Sequence, residues 1–419
     1  MRTTRRRLRT SARHLERTMS GLLWEGVTDW RAPRGRRYSV AVLLNALTLG
    51  MLLCSRTLRD VEELLDSLPA NTRRRLSCPG APSDTTLYRA SIAVDPDELG
   101  EELVRQVRAM WRNRQLEPGP TLPIHLVSVD GKAIAKNAED SHPEVQKRRN
   151  GKGGPQSFCL MALRAVHVSS AVKPALAQAI IPAGTGESRW VTDFIWGLCQ
   201  VYSRLVECVF IDAGLSSAKN RWALAVNRIH YIGGLKGNHA SVYGLARQLL
   251  GGDGPPPNGW SCVHQEKRNG GCMTRSFARV SSNGFKDGDN YRQFWRVKQE
   301  LVRKDGTAVE AERYFVTSLP QDRLTDDQCL AAVRAHWGIE NDCNWTLDTQ
   351  WLEDTRAWAW KGKALESLAV LRLIAYNAVR LLKRRKFKSK TGRAIPYRSL
   401  FRLMRDSLLL PHPVDPPLD

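Results

Sequence analysis

Asp130 closes an apolar run of strand length, Leu122 to Val129, and Asp212 closes another, Val206 to Ile211. Each is followed by a small residue and a turn signal, Gly131-Lys132 and Ala213-Gly214. The carboxyl ends of strands in open α/β sheets are where ligands bind, so two such strands lying side by side bring the two carboxylates together. A third acid, Glu340, lies in a stretch where His336, Glu340, Asn344 and Asp348 recur four residues apart. On an α-helix that spacing places them on one face, with Trp337, Asn341 and Trp345 in the neighbouring stripe. Three carboxylates sharing a site repel one another unless a cation joins them. Hard oxygen ligands select Mg²⁺ or Mn²⁺. Two such ions about 3.5–4 Å apart stabilise the attacking and leaving oxygens of a phosphodiester displacement. In that scheme Asp130 bridges both metals, Asp212 holds one and Glu340 the other. Each acid alone has a plainer reading: an Asp at a strand end caps a turn, and the Glu340 stretch is a solvated helix face backed by two Trp.

The charge balance favours the chemical reading. The 419 residues carry a formal net charge of +22, with 42% hydrophobic and 25% charged residues. The apolar content is that of a globular protein; the excess positive charge predicts a polyanionic partner, nucleic acid before anionic membrane. Basic clusters at Arg5, Arg6 and Arg7, at Lys147, Arg148, Arg149 and Lys152, at Lys236, and at Lys383, Arg384, Arg385 and Lys386 are candidate contacts to a DNA backbone. Such contacts give affinity without sequence information. Lys132 shares the strand face of Asp130 if the strand persists and is a candidate phosphate contact. His336 is a candidate for orienting Glu340 or touching the scissile phosphate, and Asn344 for supporting it; a structural His satisfied in the core is an equal alternative.

The nine Cys include no CxxC pair, which fits a reducing cytoplasm better than a disulfide framework. Cys262, His264 and Cys272 lack a fourth zinc ligand at a usual spacing. The longest apolar run, Val40 to Cys54, is interrupted by Asn45 and Thr48 and falls short of the roughly 20 residues of a bilayer span. It reads as a buried helix, with no membrane role.

These residues need elements to position them. Residues 1–37 read as a basic arm. Residues 38–117 read as an all-α segment, a candidate DNA-binding domain or a helical cap, with helix starts at Ser83-Asp84-Thr85-Thr86 and at Asp95-Pro96-Asp97-Glu98. After Glu117-Pro118-Gly119-Pro120 the pattern changes to strands alternating with helices, an α/β fold with a mixed sheet. Its strands are expected at Leu122–Val129, Ser157–Val168, Ala175–Ile181, Val206–Ile211 and His230–Leu235. Lys147-Arg148-Arg149 and Gly151 to Gly154 fall in a polar loop between the first two. Residues 252–322 read as a β-rich insertion with turns at Asn283-Gly284, Asp287-Gly288 and Asp305-Gly306. Helix resumes at Thr325 and again over Leu365–Leu382, and residues 383–419 form a basic, then Pro-rich, tail.

Several motifs carry a resemblance. They are Val127-Ser128-Val129-Asp130-Gly131-Lys132, Phe210-Ile211-Asp212-Ala213, Tyr231-Ile232-Gly233-Gly234-Leu235-Lys236-Gly237-Asn238, Arg313-Tyr314-Phe315-Val316-Thr317-Ser318-Leu319, and His336-Trp337-Gly338-Ile339-Glu340-Asn341 followed by Trp345, Asp348 and Glu353-Asp354. In this order, over residues 120–380, the chain resembles the DDE transposases of bacterial insertion sequences, in the IS4-like clan and the ISAs1 type. The resemblance implies an RNase H-like catalytic core, residues 118–251 and 323–382, interrupted by the β-rich insertion. It implies Asp130, Asp212 and Glu340 as a triad holding two Mg²⁺ or Mn²⁺ ions. It further implies double-stranded DNA as partner: cleavage at terminal inverted repeats and joining of 3′ ends to target DNA, by a homodimer on paired ends in the bacterial cytoplasm at the nucleoid. The sequence departs from the wider clan at Val333, His336 and Leu347, where Tyr, Arg and Lys are usual, although the ISAs1 type shares the His; the missing Lys leaves the phosphate contact unassigned, with Lys361 and Lys363 as candidates. A metal nuclease without strand transfer and a non-catalytic DNA-binding derivative are the rival functions.

Overall fold

The computed structural model describes residues 2–149, 156–268, 270–282, 291–387, 389 and 393–409. The chain divides into two compact units: Met1–Gln115 with Ala133–Met161 and Cys343–Asp419, and Leu116–Lys132 with Ala162–Asp342. Among the described residues no helix is long and apolar enough to cross a membrane.

The first unit is built on helices. The segment expected as a basic arm holds helix α1 (Arg2–Ser20), which buries Ser11, His14, Leu15 and Met19. His14 Nε2 lies 2.8 Å from the Ala378 carbonyl. Burial lowers this imidazole to a pKa of about 4, so it is neutral and donates through Nε2. Helices α2 (Val40–Leu52), α3 (Leu58–Ser67), α4 (Ala70–Arg75), α5 (Asp84–Ala93) and α6 (Pro96–Arg112) follow. Helix α2 and a later helix, Ala364–Leu381, are buried nearly all round, as apolar sequence on every face requires. The two polar residues that interrupt α2 are satisfied internally. Asn45 accepts from the Trp24 indole at 2.7 Å and donates to the Ser77 carbonyl at 2.9 Å, and Thr48 donates to the Leu44 carbonyl at 2.8 Å. Ser83 and Asp95 cap α5 and α6 as expected.

The second unit is α/β. Its elements come from β1 (Leu126–Lys136), β2 (Val145–Arg149), β3 (Gln156–His167), β4 (Ala175–Ile180), α7 (Glu187–Tyr202), β5 (Cys208–Ile211), α8 (Ala218–Val226), β6 (His230–Leu235), α9 (Ala240–Leu249), β7 (Cys262–Arg268), β8 (Gly271–Ser281), β9 (Gln293–Val302), β10 (Ala308–Thr317) and α10 (Asp326–His336), with β2 and the outer parts of β1 and β3 counted in the first unit. Among the described residues one sheet of ten strands runs β2-β3-β1-β5-β6-β10-β9-β8-β7, with β4 also on β3. Strands β3 and β4 pair antiparallel, while β1, β5 and β6 run parallel. Val168 N–H donates to the Leu126 carbonyl and Ala138 N–H to the Phe158 carbonyl, so β3 runs antiparallel to β1. Three antiparallel strands followed by two parallel ones, in the order β4-β3-β1-β5-β6, make an RNase H-like mixed sheet.

Two expectations change. Strand β1 starts at Leu126 instead of Leu122 and runs through Asp130 to Lys136. Pro123 has no N–H to give a ladder, which accounts for the late start. Lys147-Arg148-Arg149, expected in a loop, pairs as β2 with Gln156–Phe158 of β3. The β-rich insertion is an antiparallel continuation of the central sheet, joined to β6 through β10. Its Asp305-Gly306 turn forms, with Thr307 N–H donating to Asp305 Oδ1 at 3.0 Å and Gly306 at φ +81°. Asn283-Gly284, Asp287-Gly288, Gly151 to Gly154 and the Pro-rich 410–419 lie outside the described residues.

Candidate active site

The hydrogen-bond register of the sheet sets two acids side by side. In the parallel pair β1/β5, Leu126 to Val129 face Cys208 to Ile211, and the last partners are Val129 and Ile211. Asp130 and Asp212 are the next residue on each strand. Side chains alternate along a strand, so both acids project to the face that also carries Ser128 and Phe210. Asp130 lies within β1 because that strand continues; Asp212 directly follows the end of β5. Asp212 Oδ1 accepts from the Leu215 N–H at 2.9 Å, and its carbonyl accepts from Ser216 N–H at 3.0 Å. The turn-capping role anticipated for a strand-end Asp is therefore present and fixes this carboxylate.

The turn after Asp212 is also pinned from β6. A Cβ on Gly234 would lie 2.8 Å from the Ala213 nitrogen, so only glycine permits this approach of backbone to backbone. Asn238 Nδ2 donates to the Ala213 carbonyl at 3.0 Å, and His239 Nε2 lies 2.9 Å from the same oxygen.

Glu340 is delivered by the stretch after α10. The α-helix ends at His336, Trp337 turns, and Ile339–Asn344 forms a π-helix before a short α-helix, Trp345–Gln350. A π-turn adds a residue per turn and is frequent at functional sites. It breaks the four-residue periodicity: His336 and Asn344 are buried, Glu340 is exposed and Asp348 is half-buried. The single polar face expected from sequence is thus not formed. His336 anchors the end of α10 on the sheet. Its Nδ1 is 3.0 Å from Ser128 Oγ, and its ring stacks on Phe210 with centroids 4.1 Å apart and planes 12° from parallel. Burial, with a smaller contribution from Arg313, lowers its pKa to about 3, so the imidazole is neutral. Beyond it, Arg313 lies 4.5 Å over the Trp337 ring, and Lys173 pairs with Asp342 at 2.7 Å. These contacts brace both sides of Glu340.

The electrostatics report the convergence. Asp130 is pushed up to a pKa of about 7, first by burial and then by the charges of Asp212, Glu340 and Glu187. The Gly131 N–H bond acts in the opposite sense and is outweighed. Among the described residues no basic side chain forms an ion pair with Asp130, Asp212 or Glu340. An all-carboxylate donor set with uncompensated negative charge fits a hard divalent cation. Glu187, the first residue of α7, was not singled out from sequence. Its carboxylate packs where a Gly131 side chain would be. An acid in the first turn of a helix is ordinary, so only the fold reveals its neighbour.

The remaining candidates are placed as follows. Lys132 shares the Asp130 face, because β1 persists, and is largely buried. Asn344 belongs to the other compact unit. Arg5 and Arg6 are exposed on α1 with Arg7 half-buried, Lys147 and Arg148 are exposed on β2, and Lys236 is exposed beyond β6. Arg149 ends β2, and Lys152 lies outside the described residues. Lys383 is buried, its Nζ bonded to the Ile395 carbonyl and 5.1 Å over the Tyr397 ring. It is the least suited of the set to meet DNA, since its charge is used inside the fold. Arg384 and Lys386 are half-buried, and exposed Arg385 donates to the Gln115 carbonyl at 3.0 Å. Of the two alternative phosphate contacts, Lys363 pairs with Asp95 at 2.5 Å, and Lys361 is exposed.

Residues 24–106 match the family model described as DDE_Tnp_1-associated. This DDE_Tnp_1-associated segment contains α2 to α5 and most of α6. Among solved structures, the chain is similar to a piggyBac transposase in a cryo-EM synaptic complex with hairpin DNA. The identity is 9% and the TM-score 0.47, covering 95% of this chain and 80% of that one. No curated protein matches the chain.

Proposed function

We propose that the chain is a DDE-type DNA transposase of the bacterial insertion-sequence kind. In this reading it cuts at terminal inverted repeats and joins the 3′ ends to target DNA. The observation that carries the reading is the β1/β5 register, which sets Asp130 beside Asp212 on the sheet face where α10 is anchored, one turn before Glu340. The DDE_Tnp_1-associated match over residues 24–106 supports it independently.

Asp130, Asp212 and Glu340 would hold two Mg²⁺ or Mn²⁺ ions, with Asp130 between them. Bound there, the ions would supply charge stabilisation to the attacking and leaving oxygens of a phosphodiester. The chain's own contribution is positional. The register fixes the two Asp, the Leu215 N–H orients Asp212, and His336 holds the end of α10 against Ser128 and Phe210. Lys132, on the Asp130 face, would meet a phosphate. Arg5, Arg6, Lys147, Arg148 and Lys236 would grip the DNA backbone, and residues 38–117 would act as a DNA-binding module. Two copies would act on paired ends at the bacterial nucleoid.

The test is strand transfer by the purified full chain on DNA ending in the inverted repeats that bracket its gene, with Mg²⁺ or Mn²⁺ and a target plasmid. Joined products that disappear in Asp130→Asn and Glu340→Gln are expected. Cleavage without joining would identify a nuclease instead. DNA binding with no metal-dependent chemistry would identify a non-catalytic binder.

A further inference from the structure

A second cluster of metal-ligating side chains lies in the same unit and involves none of the three acids. Cys262 and His264 are alternate residues of β7, so both project to one face of the strand. Asp327 is in the first turn of α10, whose Thr325 capping box fixes its start. The Cys262 Sγ, a ring nitrogen of His264 and a carboxylate oxygen of Asp327 all lie within 4.8 Å of one another. In the metal-free arrangement the Asp327 carboxylate accepts from His264 Nε2 at 2.8 Å and from the Cys262 thiol. Two protons thus occupy the space between three donors.

The surroundings bear on what the cluster would take. The nearby full charges are already matched: Asp326 pairs with Arg279, and Glu266 pairs with Arg275 and Arg334. A dication would therefore meet neither a loose Arg nor a surplus of acid. A cavity of about 310 Å³, lined by Pro120, Thr121, His264, Asp327, Gln328 and Arg334 among others, opens beside two of the three donors. It leaves room for water at a fourth position. Cys272, the third member of the grouping suggested by sequence, is opposite Lys267 on β8, five residues along β7 from Cys262, and takes no part.

We infer that Cys262, His264 and Asp327 form a binding site for a borderline transition-metal dication, Zn²⁺ by ligand type, that ties β7 to α10. One thiolate, one imidazole and one carboxylate with an open position suit Zn²⁺ and exclude Mg²⁺ as the preferred ion. Binding would release the Cys262 thiol proton to solvent and move the His264 proton from Nε2, where it bonds Asp327, to Nδ1 through solvent, freeing Nε2 to ligate. Strand β7 is the outer strand of the sheet, and edge strands need covering. The metal would fasten that edge to the start of the helix whose other end is held by His336.

The test uses the full chain, stripped of metal by a chelator and titrated with Co²⁺ in excess Mg²⁺, so that the carboxylate site is filled. A sulfur-to-cobalt charge-transfer band saturating at one equivalent is expected, displaced by Zn²⁺. Cys262→Ser should abolish the band, His264→Ala and Asp327→Ala should weaken Co²⁺ binding at least tenfold, and Cys272→Ser should change nothing. No band in the wild type, or a band that survives Cys262→Ser, overturns the inference. If Cys262→Ser does not fold, unchanged Co²⁺ affinity in both other variants overturns it equally.

Discussion

The imidazole of His336 lies flat on the ring of Phe210, two residues before Asp212, while its Nδ1 reaches Ser128, two residues before Asp130. One side chain therefore touches both strands that carry the paired Asp and stands four positions before Glu340. His336→Ala would open a cavity over Phe210 and leave the Ser128 hydroxyl only its 3.5 Å approach to the residue 336 carbonyl, a loss of about 2–4 kcal/mol. A urea denaturation midpoint equal to wild type would show that the residue does not brace the site. His336→Phe keeps a stacked ring and should recover part of the loss. The pH dependence follows from the lowered pKa. The folded state binds fewer protons than the unfolded state between about 3 and 6.5, so stability is present above 6.5 and is lost as pH falls. His14, lowered to about 4, and His167, lowered to about 3, act in the same sense. Removing His336 should make the acid limb of the stability curve shallower.

Asp130 works in the opposite direction. Its carboxyl is raised to about 7, so between its unfolded value and 7 the folded state binds more protons, and stability falls as pH rises. In metal-free protein, Asp130→Asn should gain on wild type between pH 4 and pH 8, by an amount on the order of a few kcal/mol. Millimolar Mg²⁺ at pH 8 should raise the melting temperature of wild type and leave Asp130→Asn unmoved. A gap between the two proteins that stays constant with pH would mean that Asp130 does not share its site with other carboxylates.

Glu187 and Gly131 can be probed together. Because the Glu187 carboxylate occupies the place of a side chain at 131, Gly131→Ala must swing it aside, which a flexible Glu can do without unfolding. Glu187→Gln removes one of the charges that raise Asp130. Both variants should shift the pH midpoint of the metal-free stability curve downward, as read by thermal melts in a pH series. If Gly131→Ala shifts it and Glu187→Gln does not, the effect comes from the backbone of β1 and not from the fourth acid.

The net charge of +22 makes a separate prediction. If the exposed Arg and Lys contact six to ten phosphates, affinity for double-stranded DNA should fall by about 10³–10⁵ between 50 and 200 mM salt. Neutralising Arg5, Arg6, Lys147 and Arg148 together should flatten the log–log slope by about 4. Filter binding across a salt series measures both. A slope unchanged by the four substitutions would move the contact surface elsewhere.

Local chemistry made much of this architecture readable. Ser83, Asp95 and Thr325 are cap residues whose side chains act within three positions, and His230–Leu235 is a strand marked by its own apolar run. What escaped was settled at longer range. The Glu340 stretch has perfect α-helical spacing, yet its π-turn arises where Trp337 and Asp342 are tied to Arg313 and Lys173, residues distant in sequence. The docking of α1 was hidden because an Arg-rich helix shows its charges and conceals Leu15 and Met19. Glu187 was invisible for a similar reason: nothing in its neighbours announces that Gly131 lies beneath it.

The register between Val129 and Ile211 behaves as a ruler cut into the backbone. Amide hydrogen bonds set it, so the spacing of the two Asp does not depend on which apolar side chains fill the sheet. Those side chains are free to drift, provided that neither strand gains or loses a residue before its acid. One residue inserted within β5, between Cys208 and Asp212, would carry Asp212 to the opposite face of the sheet. Such a slip would leave the composition, the charge and nearly every motif intact, yet part the two carboxylates by the thickness of the sheet.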